Sequence, residues 1–259
     1  MGDANANATP ADAFVIELID VSKRFGDNIV YEHMNLKVRR GETLTIIGGS
    51  GQGKSVCMKM MIGLLVPDSG QVRVEGQDVV GLGEAGLRNI RRRVAYVFQG
   101  GALFDSMNIE DNIGYGPREH TDMSDQDIHA LALRCLDLVG LPGDLLAAMP
   151  ANLSVGQRKR VALARSIALE PEVILYDEPT TGLDPRNIVH IGDMIRKLQR
   201  ELRVTSVVVT HDMPMAFKVS DRIAMLHDRR FPFVGTPREM ASSTHEAVRD
   251  FVQGRIEES

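Results

Sequence analysis

The chain has 259 residues, which is enough for one large domain or two small ones with a sizeable hydrophobic core. Hydrophobic residues make up 43% and charged residues 25% of it, values near the globular average that exclude wholesale disorder. A membrane-spanning helix needs about 20 mostly apolar residues in a row, and the sequence predicts none. The formal net charge of −5 disfavours a nucleic-acid partner, so Arg91–Arg93 is interpreted as a solvated helix face.

The first segment and the cysteines indicate an intracellular protein without an anchor. Residues 1–13 are rich in Ala, Asn and Asp and lack the features of a signal peptide, so they are predicted to be a disordered tail. Gly2 is followed by Ala6, where a myristoylation signal needs Ser or Thr. Cys57 and Cys135 lack metal-ligand spacing and are expected to be reduced, buried thiols.

From Phe14 onward, short β-rich runs alternate with helical patterns, the rhythm of an α/β fold with a largely parallel sheet. Several runs are continuously apolar, as strands buried on both faces should be. The predicted strands, in chain order, are Val15–Val21, Thr43–Ile47, Val72–Glu75, Val94–Phe98, Val173–Tyr176, Val204–Thr210 and Arg222–Leu226.

Helical patterns fill the intervals between these strands. A helix is expected over Val56–Leu65, and the β signal disappears between Gly100 and Pro150, where Asp125–Val139 has an apolar stripe at helical spacing. We therefore expect a helical lobe inserted at about residues 100–170. Helical spacing returns at Thr244–Val252, so residues 236–259 are predicted to form a short helical extension.

A glycine-rich segment between the Thr43–Ile47 strand and the next helix fits the P-loop pattern. Its glycines let backbone N–H groups converge on phosphate oxygens, its lysine supplies a cation and its serine hydroxyl can ligate magnesium. A glycine-rich turn that binds nothing would not need this strand, lysine and serine together. The segment consists of Gly48, Gly49, Ser50, Gly51, Gln52, Gly53, Lys54 and Ser55.

Two adjacent carboxylates, Asp177 and Glu178, follow the apolar strand Val173–Tyr176. Ligands bind at the carboxyl ends of strands in α/β sheets. A P-loop site needs one carboxylate near its magnesium and a group that orients or deprotonates the attacking water, and this pair can supply both. Such a pair alone would be compatible with a helix-capping turn, but the P-loop in the same chain favours catalysis.

A second candidate anion site lies at Leu153–Gln157, where Ser154 is placed as the N-cap of an amphipathic helix that runs to about Leu169. This segment could be only a helix cap. Because one nucleotide needs only one P-loop, a second half-site in the chain indicates completion of the site by a second chain.

Together with Gln99, Gly182-Leu183-Asp184 and His211, these motifs resemble the ATP-binding subunits of ABC transporters over Phe14–Gly235. The resemblance implies a P-loop NTPase fold with a mostly parallel sheet, an antiparallel β subdomain and the inserted helical lobe, residues 14–235 forming the nucleotide-binding domain. It also implies ATP and Mg²⁺ as ligands and a head-to-tail homodimer that sandwiches two ATP molecules.

The resemblance gives each motif residue a role. Phe25 would stack on adenine, although it could also be a core residue, and Val56 would follow the P-loop at the nucleotide. Magnesium would be bound by Ser55, Gln99 and Asp177. Gln99 would also contact the attacking water, and Lys54 would contact phosphate. Glu178 would be the general base and His211 the γ-phosphate switch, although Gln99 and His211 alone could be structural. Ser154, Gly156 and Gln157 would cover the partner's nucleotide, and Asp184 would communicate across the dimer.

One position departs from the family pattern, because Val155 stands where the signature usually has glycine. A β-branched side chain restricts the backbone, so turnover is expected to be retained but slower. Within the family, the P-loop segment, Pro117–Thr121 and the ending Val248–Gly254 resemble the Mla and Mce type systems for lipids. This likeness implies a separate integral-membrane permease, an MCE-domain protein and a small accessory subunit at the cytoplasmic side of the bacterial inner membrane.

Two alternatives share the ATPase motifs. An importer ATPase for an amino acid, a metal or another small solute would carry the same catalytic residues. A nonmembrane ABC protein acting on DNA or ribosomes would have two ATPase domains or a long coiled-coil insertion. Ser55 and Ser154 are only 99 positions apart, which disfavours that insertion, and no nucleic-acid partner is expected.

Overall fold

The computed structural model describes residues 14–253, so the predicted tail at 1–13 and the residues 254–259 lie outside the described part. The chain divides into two compact units. The first unit comprises the described residues up to Arg91 and from Ser220 onward, and the second unit is Arg92–Val219. Within residues 14–253, no helix is both long enough and apolar enough to cross a bilayer.

The first unit contains an antiparallel sheet with the strand order β2-β1-β4-β5. Its strands are β1 (Phe14–Phe25), β2 (Asn28–Arg39), β4 (Ser69–Val74) and β5 (Gln77–Asp78). Sequence analysis missed β2 because its alternation is interrupted: the buried residues Tyr31 and Met34 are three positions apart, and His33 between them has φ 52°. It placed β4 too late and missed β5.

The same unit contains a strand group in which β3 (Thr43–Ile47) pairs in parallel with β9 (Arg222–His227), and β10 (Arg230–Gly235) pairs antiparallel with β9. The prediction for β3 is confirmed residue for residue, and all its side chains are buried. Sequence analysis missed β10. The helices that begin in this unit are α1 (Lys54–Met61), α2 (Glu84–Arg93), α8 (Pro237–Ala241) and α9 (Glu246–Val252).

The second unit has three parallel strands with β7 (Val173–Asp177) between β6 (Val94–Val97) and β8 (Thr205–Val209). All five residues of β7 are buried, which explains its continuously apolar sequence up to Asp177. No strand lies between β6 and β7, as the loss of β signal predicts. The helices are α3 (Ile109–His120), α4 (Asp125–Leu138), α5 (Val155–Ile167), α6 (Pro185–Leu202) and α7 (Met213–Val219).

Side-chain caps fix where several of these helices begin. Ser124 and Asp127 form a capping box at α4, and Ser154 and Gln157 form one at α5. Asp184 caps α6 by accepting hydrogen bonds from the N–H groups of Arg186 and Asn187. The α/β fold class and the predicted helices at α4 and α5 are thus confirmed, with shifts at their ends.

Two further sequence expectations concern single side chains. Cys57 and Cys135 are free and buried as predicted, and burial raises the pKa of the Cys135 thiol to about 11. The arginine run lies on α2 as predicted, with Arg92 exposed and Arg91 and Arg93 half-buried. Arg91 donates to the carbonyl oxygens of Ile62 and Gly63, and Arg93 Nε lies 2.6 Å from Glu172 Oε1.

Candidate active site

The P-loop lies in the first unit, between β3 and α1. Gly53 forms the N-cap of α1 with φ 98°, a left-handed conformation that favours glycine. A Cβ atom built on Gly53 would lie 2.4 Å from Val30 Cγ1 and 2.9 Å from the Tyr31 hydroxyl. Strand β2 therefore packs so closely against the loop that only glycine fits.

Hydrogen bonds hold the P-loop in a folded shape. Lys54 Nζ is buried and donates to the carbonyl oxygens of Gly48 and Gly49, both at 2.9 Å. The Gly53 carbonyl accepts from the Tyr31 hydroxyl and from the N–H groups of Val56 and Cys57. These hydrogen bonds fold the loop onto the start of α1, and the N–H groups at a helix N-terminus are suited to binding phosphate.

The outer rim of the loop is accessible to a ligand. Ser50 and Gly51 are exposed, and Gly49, Gln52 and Ser55 are half-buried.

Phe25, at the end of β1, is 47% exposed, and its ring lies 5.2 Å from Lys23 Nζ. An ordinary core position for Phe25 is thereby excluded, and an exposed aromatic ring remains available for stacking.

The second unit brings three predicted residues together at the carboxyl end of β7. Asp177 is buried and accepts a 2.6 Å hydrogen bond from the Tyr96 hydroxyl. Glu178 follows with φ 48°, and its N–H donates to the Val209 carbonyl of β8 at 2.9 Å. His211 Nδ1 lies 2.9 Å from Glu178 Oε2.

The loop after β8 positions this histidine. Thr210 is fully buried, and its hydroxyl accepts a hydrogen bond from the Asp212 N–H at 3.0 Å. Asp212 in turn accepts from the Met215 N–H at the start of α7. The His211 side chain is 55% exposed, whereas that of Glu178 is 13% exposed. The half-buried carboxylate thus faces a histidine whose side chain is largely exposed.

Gln99 follows β6 and is exposed. It lines a cavity of about 10 Å³ together with Lys159 of α5 and Pro179, which follows Glu178. This cavity can hold at most about one water molecule. Gln99 is therefore near the segment that carries Glu178, as a water-orienting role requires.

The signature segment forms a second group in the same unit. Ser154 Oγ accepts from the Gln157 N–H, and Gln157 Oε1 accepts from the Ser154 N–H. A Cβ atom on Gly156 would lie 2.9 Å from Asn187 Oδ1. Asn187 Nδ2 also donates to Asp184 Oδ2 at 2.5 Å, and this bond is the main reason why the pKa of Asp184 lies below its usual range.

Sequence reasoning missed three residues of these groups: Tyr96, Lys159 and Asn187. In the sequence, Tyr96 looks like an ordinary strand residue and Lys159 like an ordinary helix residue, because the partner of each is far away along the chain. Asn187 could have been found, since it lies three positions after Asp184 on the first turn of a helix.

The chain is similar to known proteins over most of its length. The family profile described as ABC transporter matches residues 31–181. The chain belongs to the ABC transporter family. It is the ATP-binding, ATP-hydrolysing type of subunit, and its fold is that of the family's ATPase cassettes.

Three comparisons define its relatives more closely. The intermembrane phospholipid transport system ATP-binding protein MlaF of Haemophilus influenzae is 36% identical over 240 residues, 93% of this chain and 90% of the relative. The probable ribonucleotide transport ATP-binding protein mkl of Mycobacterium leprae is 37% identical over 240 residues, 93% of this chain and 69% of that protein. A dimeric ATP-binding cassette in a post-hydrolysis state, bound to ADP and Pi, superposes with a TM-score of 0.79 at 32% identity, covering 86% of this chain and 99% of its own.

Proposed function

We propose that this ATPase powers the movement of phospholipid through a separate membrane permease. The similarity to MlaF carries this proposal, because it covers nine-tenths of both chains and MlaF is named for intermembrane phospholipid transport. The permease would supply the path of the lipid through the membrane. An MCE-domain protein and a small accessory subunit would complete the transporter at the cytoplasmic side of the bacterial inner membrane.

The P-loop would bind the triphosphate of ATP. The amide groups from Gly48 to Gly53 and the start of α1 supply hydrogen-bond donors, and Lys54 supplies a positive charge. Phe25 would stack on the adenine, because its ring is exposed at the end of β1. Val56, in the first turn of α1, donates its N–H to the Gly53 carbonyl at 2.8 Å.

Magnesium would be bound by three side chains that carry oxygen atoms. Ser55 offers a hydroxyl, Asp177 a carboxylate and Gln99 an amide oxygen, and Mg²⁺ prefers such hard ligands together with substrate phosphates. The described residues contain no cluster of three or more His, Cys, Asp or Glu side chains suited to a metal, so the protein supplies few ligands itself. When bound, Mg²⁺ neutralises charge on the phosphates.

Glu178 would act as the general base toward the attacking water. Its buried Oε2 atom lies 2.9 Å from His211 Nδ1 and, as a carboxylate oxygen, can also accept a proton or a hydrogen bond from water. Gln99 would orient the water, and His211 would contact the γ-phosphate while its Nδ1 faces Glu178. This division of roles is typical of phosphoryl transfer, where positioning and charge neutralisation account for most of the catalysis.

Two copies of the chain would form the working unit. At the start of α5, Ser154 is exposed, Gln157 is half-buried and Gly156 is buried. This segment would cover the nucleotide held by the partner's P-loop. Asp184 lies beside this segment through Asn187 and would transmit contacts across the dimer. The dimeric state of the similar cassette with bound ADP and Pi supports this arrangement.

Ribonucleotide transport is the second candidate, because the mycobacterial mkl proteins are as similar in identity as MlaF. The distinction depends on the permease and its cargo. Membranes of the native host would be solubilised gently, the tagged chain isolated, and the associated proteins and lipids identified. Copurified phospholipid and an MCE-domain protein support the first proposal, whereas a nucleotide-specific permease without lipid contradicts it.

The catalytic assignment has its own test. Glu178→Gln should keep ATP affinity and lower the hydrolysis rate by roughly 10²- to 10⁴-fold, since it removes the base. Glu172→Gln is the matched control, because Glu172 directly precedes β7 at its opposite end and pairs with Arg93. Hydrolysis by Glu178→Gln at the parent rate would refute the assignment.

A further inference from the structure

Lys159 on α5 is a buried cation to which the proposed chemistry gives no role. Its side chain is only 9% exposed. A buried ammonium group is unfavourable unless partners compensate for its lost hydration, and an apolar side chain of the same length would fill the space without that cost. The presence of lysine here therefore calls for a specific partner.

The partner is the backbone next to Glu178. Lys159 Nζ donates a 3.0 Å hydrogen bond to the carbonyl oxygen of Pro179, the residue that follows Glu178. Burial lowers the pKa of Lys159, and the Glu178 carboxylate opposes this shift, so the two charges interact. Lys159 thus contributes both a hydrogen bond and a favourable charge to the segment that carries the proposed base.

This segment needs support because its backbone is unusual. Glu178 has φ 48°, a left-handed conformation that costs energy for any residue with a Cβ atom. On one side, the Glu178 N–H is bound to the Val209 carbonyl of β8. On the other side, Lys159 binds the Pro179 carbonyl. The Glu178 turn is therefore fastened to a strand and to a helix at the same time.

The helix concerned is the one that begins at the signature. Ser154 caps α5, and Lys159 lies just over one turn further along it. We propose that Lys159 is a positioning residue that fixes the Glu178 turn and connects it to the signature end of α5. This inference rests on the proposed function, in which Ser154 contacts the nucleotide bound to the partner. If that contact displaces α5, Lys159 would transmit the displacement to Glu178 of the same chain.

The test compares two lysines that donate to carbonyl oxygens. Lys159→Met removes the charge and the donor while keeping an unbranched side chain only one atom shorter. Lys197→Met does the same on α6, where Lys197 Nζ donates to the Leu138 carbonyl. Lys159→Met should lower kcat by about tenfold or more and leave ATP affinity within about twofold, since small misplacements of catalytic groups cost that much. Lys197→Met should change neither quantity.

A double-mutant cycle separates positioning from general damage. If Lys159 acts through Glu178, adding Lys159→Met to Glu178→Gln should cause no further loss of rate. Hydrogen exchange at the amides of 178–182 should also become faster in Lys159→Met and stay unchanged in Lys197→Met. Should Lys159→Met fail to fold, Lys159→Leu, which likewise lacks the charge and the donor, takes its place with the same expectations.

The outcomes distinguish this inference from the proposal on which it rests. A rate loss in Glu178→Gln together with parental kcat and exchange in Lys159→Met overturns the positioning role alone. Additive losses in the double variant overturn it as well. Parental activity of Glu178→Gln removes the assigned base and with it the premise of the inference.

Discussion

The Tyr96 hydroxyl donates a 2.6 Å hydrogen bond to Asp177 Oδ2, and this bond links neighbouring strands β6 and β7. A hydrogen bond to a charged acceptor is short and about twice as strong as a neutral one. It occupies one carboxylate oxygen and fixes the plane of the carboxyl group. Tyr96 therefore orients Asp177, which we propose as a residue of the magnesium site.

Tyr96→Phe should raise the Mg²⁺ concentration needed for half-maximal hydrolysis by about tenfold or more, since a hydrogen bond to a charged group contributes about 1.5–3 kcal/mol. ATP binding without metal should not change. The measurement is a Mg²⁺ titration of hydrolysis and of metal binding to the nucleotide-loaded protein. Tyr115→Phe is the control, and an unchanged or lower Mg²⁺ requirement in Tyr96→Phe would contradict the orienting role.

Val155→Gly should give equal or greater ATPase activity than the parent chain. Val155 is the first residue of α5 and is 46% exposed, so removing its side chain sacrifices little packing and frees the backbone beside Gly156. Steady-state hydrolysis and the thermal midpoint of both proteins check this expectation. A large loss of activity would instead show that Val155 has a packing role of its own.

Gly156→Ala should destabilise the protein because the new Cβ atom would crowd Asn187 Oδ1 at 2.9 Å. Overpacking of this kind costs about 1–3 kcal/mol in the free energy of unfolding. In an Asn187→Ala background the crowding partner is absent, and alanine is the better helix former by about 1 kcal/mol. There the same substitution should stabilise the protein, as denaturant unfolding would measure. Equal costs in both backgrounds would exclude the proposed clash.

Stability should fall above pH 9 partly because of Cys57. Burial raises the pKa of this thiol from its ordinary value of 9.0 to about 12. Between these values the unfolded chain releases a proton that the folded chain keeps, so the free energy of unfolding decreases as pH rises. Cys57→Ala lacks this contribution. Its free energy of unfolding should therefore fall less steeply with pH than that of the parent, the two slopes differing by about 1 kcal/mol per pH unit. Denaturant unfolding from pH 8 to 10.5 tests this, and parallel pH curves would refute it.

The sequence predicted those parts of the fold whose signal is local. Apolar runs located β3 and β7, and the Ser154 cap located the start of α5, because each is specified by adjacent residues. Strand β2 was missed, since a bulge near His33 breaks its period of two. The Lys159 contact with Pro179 spans 20 positions and has no local pattern, so only tertiary packing reveals it.

The motif residues themselves were found because phosphate chemistry constrains their spacing. Their partners, such as Tyr96 and Asn187, are constrained only by distance in space. Their identity therefore follows from the folded arrangement rather than from any motif.

The contact of Lys54 with the carbonyl oxygens of Gly48 and Gly49 bears on the thermodynamics of nucleotide binding. Glycine-rich segments lose more conformational entropy on ordering than other segments do. Since the lysine fastens these two peptides within the loop, part of that entropy is lost during folding, and a triphosphate bound there would meet a preorganised receptor.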